Sequence, residues 1–501
     1  MSTEPSVTAA SRYSGRRTVR NGALSAAQVV AVGVTLLLAY RLALTEVSRE
    51  EFGLYATMFA CGTLTQLGTL GFAGGAARHM ARAVGEDDVR GRLQIALTSL
   101  AVAFGGSAVV SAVLLGGLLW YGSTLSGGLA DAAGQLAPVV VAAAFVTPVS
   151  TAAQGLTDGL GQTHVRSLVV IAASLAFYVV VALVLPDQGV VSLAWAALVQ
   201  QGLVVLVLTA VVLRECDFSR PSLAWSRPTW RRMVVYNLKY QVMTVPALAL
   251  EPLAKLLLGA YAGFSAVATF EIANRLLQQV NAVVLAATQA VVPLVAFRAA
   301  SGALEDDTVF RRLFQAAWAL SLTAFAAALV MVVPLGAFVF GETDPSLVAY
   351  AVVLCVGWLA NALAGPAYFI SVTTDFFGPN VVANYLMIAT PGVLGVLLGL
   401  TLGGIGVAVS VSLGLLIAFL VVTLSFMRRR HLTWDGVLTA RDTTYAAVLA
   451  VVVATVLVVT PGIGAAPAAA VAAAALVLVA VLGAVHLRRG PVWSTVRRRE
   501  A

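Results

Sequence analysis

Apolar runs of about 20 residues, enough to cross a bilayer as a helix, recur from residue 22 to residue 486 of the chain. Spans are expected at 22–44, 53–75, 95–121, 136–157, 167–185, 190–213, 233–258, 266–296, 313–340, 347–372, 380–401, 403–427, 444–461 and 465–486. Little more than Gly403 and Gly404 separates the runs at 380–401 and 403–427. The polar intervals are short, as at Gly122–Gly134, Pro186–Gly189, Gly341–Pro345 and Pro461–Pro467, so no soluble domain is inserted. The pattern predicts an all-α polytopic membrane protein with about 14 transmembrane helices.

The basic residues fall on alternate sides of these spans. With the N-terminus in the cytoplasm, every Lys and Arg lies on the cytoplasmic side except Arg41, Arg49, Lys255 and Arg275. Cytoplasmic loops carry this excess, and a miscounted span would scramble the alternation. The expected placement is the inner membrane, with both termini cytoplasmic. The first run follows Arg20 and reaches Leu44, longer than the core of a cleavable signal peptide, and reads as a signal anchor.

Composition agrees. Hydrophobic residues make up 60% of the 501 and charged residues 11%, with a mean hydropathy of +0.92; soluble domains carry roughly 25% charged residues. The formal charge of +8 sits in short loops, without the clustered basic surface that nucleic-acid binding needs. Cys61, Cys216 and Cys355 form neither a disulfide framework nor a metal-type spacing. His79, His164, His431 and His486 are scattered at the cytoplasmic boundary. No nucleotide-binding Gly-rich loop follows a strand. A membrane glycosyltransferase or polymerase would place carboxylates or histidines in long outer loops, and here those loops are short. The expectation is a protein that is not an enzyme and holds no cofactor or metal.

Two weak internal matches suggest a repeat. Glu86-Asp87-Asp88 leads to Arg92-Leu93, and Glu305-Asp306-Asp307 leads to Arg312-Leu313. Asn21 precedes Tyr55 much as Asn237 precedes Phe270. A repeat after six spans keeps its orientation, giving parallel halves related by an axis along the membrane normal. The expected domains are 1–222 (spans one to six), 223–430 (spans seven to twelve) and 431–501 (an appended pair and a basic tail).

Three stretches resemble the polysaccharide-exporter branch of the multidrug/oligosaccharidyl-lipid/polysaccharide (MOP) superfamily. Glu51-Phe52-Gly53-Leu54-Tyr55-Ala56, with Leu67-Gly68-Thr69-Leu70-Gly71-Phe72 and Ala76-Ala77-Arg78, is similar to that family's opening helix pair. Leu256-Leu257-Leu258-Gly259 with Ala273-Asn274-Arg275-Leu276 is similar to the start of its second lobe. Gly403-Gly404-Ile405-Gly406-Val407-Ala408 is similar to the start of its twelfth helix. Lys255 stands where the family often carries an acid before Leu-Leu-Leu-Gly. The resemblance implies two six-helix lobes around a central cavity and flipping of polyprenyl-diphosphate-linked sugars. In lipid flippases of the superfamily an appended helix pair can form a groove for the polyprenyl tail; plain packing is the other reading of spans thirteen and fourteen.

Few charges fall inside the spans. Glu251 and Lys255 are four apart in span seven, and Glu271 and Arg275 are four apart in span eight, each pair on one helix face. A charge at a helix centre costs about 2.5–3.5 kcal/mol. An i,i+4 pair returns only about 0.2–0.5 kcal/mol in water, so a polar cavity is one way to lower the cost. Structural ion pairs, a cationic lining for a diphosphate or acidic sugar, and proton or sodium coupling through Glu251 or Glu271 are the three readings. The candidate substrate-binding set is Arg275, Lys255, Glu251, Glu271, Arg41, Asn274 and Gln278, with Gln279 and Asn281 continuing the stripe inward; Asn237, Tyr240 and Gln241 open span seven. Pro148, Pro246, Pro293, Pro366 and Pro391 interrupt spans and can kink them, Pro246 being the candidate hinge.

The expected function is export of a lipid-linked oligosaccharide to the outer leaflet by alternating access, with membrane lipid and the glycan as partners and a proton or sodium ion as an optional one. The alternatives are a lipid II-type flippase and a cation-coupled drug exporter. Drug exporters of the superfamily usually carry a buried acid in the first lobe, where only Asp158 is a weak candidate.

Overall fold

Helix α4 (Val89–Ser123) shows how this chain is solvated. Its buried side includes Thr98, Ser99, Ser107 and Ser111, while Phe104, Val109, Val113, Leu119 and Trp120 are exposed. Small polar groups face protein and large apolar groups face out, the arrangement that suits a lipid solvent, where small residues let helices approach closely.

The computed structural model describes residues 15–69, 72–216, 227–289, 308–342, 344–373, 376–462 and 465–488. Among these, regular structure is entirely helical. Eleven helices among the described residues are long and apolar enough to cross a membrane, and the chain is a multi-pass membrane protein. Arg298, Pro293, the Glu305-Asp306-Asp307 triplet and the arginines of the tail after 488 lie outside the described residues.

The chain forms two compact units, Met1–Lys255 and Leu256–Ala501. The first contains α1 (Gly15–Glu46), α2 (Arg49–Gly62), α3 (Phe72–Gly85), α4, α5 (Gly128–Gly159), α6 (Thr163–Gln188), α7 (Val191–Arg214) and the opening of α8 (Arg227–Gln289). Helix α5 packs against α4, α7 and α3, and α1 packs against α6. The first acidic triplet acts locally: Asp88 caps α4 by accepting from the Gly91 amide at 2.8 Å, and Asp87 pairs with buried Arg92 at 2.9 Å.

The second span departs from expectation. The run 53–75 is not one helix; α2 ends at Gly62 and a 3-10 segment covers Thr63–Thr69 before α3 begins. Unpaired carbonyls are costly in a membrane unless neighbours satisfy them, and here they do. The Thr65 hydroxyl lies 2.8 Å from the Gly62 carbonyl and 2.7 Å from that of Ala144 on α5. Gln241 of α8 donates Nε2 to the Leu67 carbonyl at 3.0 Å. Gly68 and Gly106 of α4 meet backbone to backbone, with no room for a side chain at either.

The second unit holds the rest of α8, then α9 (Thr308–Phe340), α10 (Pro345–Thr373), α11 (Gly378–Arg429), α12 (Ala440–Val459) and α13 (Ala465–Arg488). The 63 residues of α8 are interrupted at Gly263, with φ 80° and ψ 168°, and the 52 of α11 at Gly403, with φ 58° and ψ −139°. Both conformations are nearly closed to residues with a Cβ. Helix α11 thereby folds into a hairpin of two halves. Gly406 sits on the Leu398 carbonyl, Gly395 on Ser410, and Gly414 on the Met387 carbonyl and Pro391. The pair α12–α13 packs on α9 through Ala326, Val330, Leu449, Val453, Ala472 and Val479. Tyr445 and Thr323 share a hydroxyl hydrogen bond of 2.6 Å there.

Candidate functional site

Beyond Gly263, α8 brings Glu271 and Arg275 together one turn apart. Nη2 and Nε of Arg275 both donate to Oε1 of Glu271, at 2.8 and 3.0 Å. Burial is unequal: the Glu271 side chain is 1% exposed and that of Arg275 is 21% exposed. The acid is therefore the more deeply buried partner. Nη1 of Arg275 also reaches Oε1 of Gln278 at 3.4 Å. A guanidinium is a planar fork of five donors that matches phosphate oxygens.

The rest of the stripe turns toward α10. Asn274 is buried, and its Oδ1 accepts from the Trp358 indole at 2.9 Å. Asn281, two turns further along the helix, accepts from Nδ2 of Asn361 at 3.3 Å. These bonds hold α8 to α10, each worth about 0.6 kcal/mol in a membrane bundle. Gln278 and Gln279 are half-buried. Trp358 and Asn361 did not stand out in the sequence: a lone Trp or Asn in an apolar span gives no sign of which helix it faces.

The other ion pair belongs to the first unit. Nζ of Lys255 contacts Oε1 of Glu251 at 2.6 Å and donates to the Ala56 carbonyl of α2 at 3.2 Å. The Lys255 side chain is 1% exposed and that of Glu251 is 22% exposed, the reverse of the arrangement at Arg275. Here the cation is the buried partner and joins α8 to α2. Thr63 reinforces the junction with a hydroxyl contact of 3.4 Å to the Leu248 carbonyl. Pro246, the candidate hinge, is buried in α8 two residues before Leu248. Arg41 is exposed near the end of α1. Arg41, Glu251 and Lys255 thus lie in one unit, and Glu271, Asn274, Arg275 and Gln278 in the other.

Asp158 is paired. Nη1 of Arg166 reaches its Oδ2 at 2.7 Å, and Nη2 of the same guanidinium reaches the Ser25 hydroxyl on α1 at 3.3 Å. The contact ties α1, α5 and α6 together. Cys61, Cys216 and Cys355 are free thiols. Among the described residues no group of three His, Cys, Asp or Glu side chains could hold a metal ion.

The helical bundle has the fold of MOP-superfamily transporters. It superposes on an inward-facing multidrug resistance MATE family transporter with a TM-score of 0.66 at 16% identity, over 81% of this chain and 98% of that one. The lipid II flippase MurJ, in its inward closed conformation, gives 0.63 at 10% identity, over 92% of this chain and 98% of that one. A MOP superfamily transporter from Pyrococcus furiosus, described by the reverse polarity of its binding pocket, gives 0.64 at 16% identity, over 86% and 99%. No curated protein matches the sequence. The family model described as polysaccharide biosynthesis protein matches residues 21–297, more than half the chain. The chain belongs to that family.

Proposed function

We propose that the protein flips a polyprenyl-diphosphate-linked oligosaccharide from the cytoplasmic to the outer leaflet of the inner membrane, with both termini in the cytoplasm. The observation that carries the reading is the asymmetry at Arg275: its side chain is 21% exposed, and that of its partner Glu271 is 1% exposed. The chain presents the cation and buries the anion, as recognition of a diphosphate requires. Membership of a polysaccharide biosynthesis family supports a glycan as the group attached to that diphosphate.

In this reading residues 1–222 and 223–430 act as two six-helix lobes, and 431–501 is an appended pair. The headgroup enters from the cytoplasm while its tail stays in lipid, and leaves when the lobes rock outward. Arg275 receives the diphosphate, and Gln278 and the Glu271 carboxylate hold its fork in place. The cations already on Glu251 and Glu271 favour transport driven by membrane potential over coupling through those carboxylates.

The test is a flipping assay in proteoliposomes with a fluorescent polyprenyl-diphosphate sugar. Wild type is compared with Arg275→Ala made in a Glu271→Gln background, which avoids stranding a buried charge. Flipping by wild type and its loss in a folded variant support the proposal. Export of a cationic dye with no lipid flipping overturns it.

A second reading, a lipid II-type substrate, is favoured by the likeness to MurJ, which extends over 92% of this chain. Lipid II in place of the glycan lipid in the same assay separates the two.

A further inference from the structure

The helix ends at one face of the second unit are tied into a single corner. Phe310 near the start of α9 lies 4.7 Å, centroid to centroid, from Phe426 near the end of α11. One turn on, Phe314 meets Trp434 edge-on at 5.9 Å, in the 3-10 turn Trp434–Gly436. Gln315 and Trp318 of α9 donate to the carbonyls of Val437 and Asp442, at 2.9 and 3.3 Å. Asp442 of α12 contacts His486 of α13 at 3.0 Å, and Arg441 donates to the His486 carbonyl.

These contacts gather Arg428, Arg429, Arg441 and Arg488 at one end of the bundle, and all four are exposed. The guanidinium of Arg429 lies over the Phe376 ring at 4.2 Å, which holds it in place. Asp442 is buried and engaged by Thr439 and His486. Asp435 is the acid left exposed among these described helix ends. Trp434, its ring braced on Phe314, is 37% exposed.

We infer that this corner binds the phosphate headgroups of anionic phospholipids in the leaflet it faces. The four helices are of membrane-spanning length and apolarity, so their ends sit at headgroup depth. Each basic side chain near an anionic surface strengthens attraction roughly fivefold. A Trp with one apolar side and one polar edge is the residue that settles at that depth. The charge complement is to a diffuse phosphate layer rather than to a single deep ion, because the arginines come from the ends of three helices. The site is separate from Arg275 and independent of the transported substrate.

The full chain, purified in detergent, is titrated with phosphatidylglycerol or phosphatidylcholine; lipid retained in native mass spectra and melting temperature are recorded. Wild type is compared with Arg428→Gln/Arg429→Gln and with Arg82→Gln, a control at an exposed arginine of the first unit. Preferential retention of phosphatidylglycerol is expected, weakened about twenty-fivefold in the double variant and unchanged in the control. Equal retention of both lipids, or undiminished retention in the double variant, overturns the inference. So does inorganic phosphate alone raising the melting temperature as much as the lipid does. If the double variant does not fold, raising salt on wild type decides: screening releases a surface-bound anion, and salt-insensitive binding overturns the site.

Discussion

The ammonium of Lys255 donates to the backbone carbonyl of Ala56 at 3.2 Å, a bond between residues 199 positions apart. It joins the opening of α8 to α2 and places a lysine, fully buried, in the interior of the first unit. A buried ion pair is a poor source of net stability, yet breaking one half of it costs about 3–5 kcal/mol. Lys255→Met leaves Glu251 without its cation and is expected to lower the melting temperature of the purified protein sharply. Lys255→Met with Glu251→Gln removes both charges and is expected to recover most of that loss. A single variant as stable as wild type would show that the pair does not hold the helices.

At Arg275 the exposures are reversed, and so is the expectation. Arg275→Lys keeps the charge but loses the two-nitrogen grip on Glu271, and Lys is not an equivalent at such a site. Flipping is expected to fall by about tenfold with little change in fold, since one charge-assisted hydrogen bond is worth about 1.5–3 kcal/mol. Initial flipping rates against substrate concentration, with circular dichroism as the fold control, measure it.

Gly403 closes the hairpin of α11 at φ 58° and ψ −139°. Gly403→Ala is expected to destabilise the protein by about 1–3 kcal/mol. Gly116→Ala, where α4 has open space around an ordinary helical glycine, is expected to be neutral or slightly stabilising. Thermal unfolding of the two variants beside wild type separates a backbone requirement from a general effect of adding a methyl group.

Moving one charge through 100 mV is worth about 2.3 kcal/mol, so a headgroup with two negative charges gains roughly twice that on leaving a negative interior. Imposing a potential, inside negative, is expected to speed outward flipping in proteoliposomes, and an ionophore that collapses it is expected to slow flipping. Equal rates in both conditions would return Glu251 and Glu271 to consideration as coupling groups.

What could be read from the chain was local. Glu271 and Arg275 sit four residues apart on a helix, so their pairing follows from spacing alone, and Gly403 with Gly404 marked the division of α11. The Trp358–Asn274 bond was not legible, because nothing in an apolar span states which helix its one indole will face. Nor was the break in the second span: Thr65, Leu67 and Thr69 fit a membrane helix, and the groups that permit the 3-10 segment come from α4, α5 and α8. The same limit applied to Lys255, whose carbonyl acceptor lies on a helix made far earlier in the chain.

That break has a consequence for biogenesis. The Leu67 carbonyl receives its hydrogen bond from Gln241, 174 residues later. At roughly 5–20 residues per second, the ribosome needs on the order of ten to thirty seconds to make the donor after the acceptor. The second span therefore enters the bilayer before its partner exists. Until α8 arrives it must lean on water, on the insertion machinery or on a more regular helix that later unwinds. The arrival of α8, rather than of α2 or α3, therefore completes the first unit.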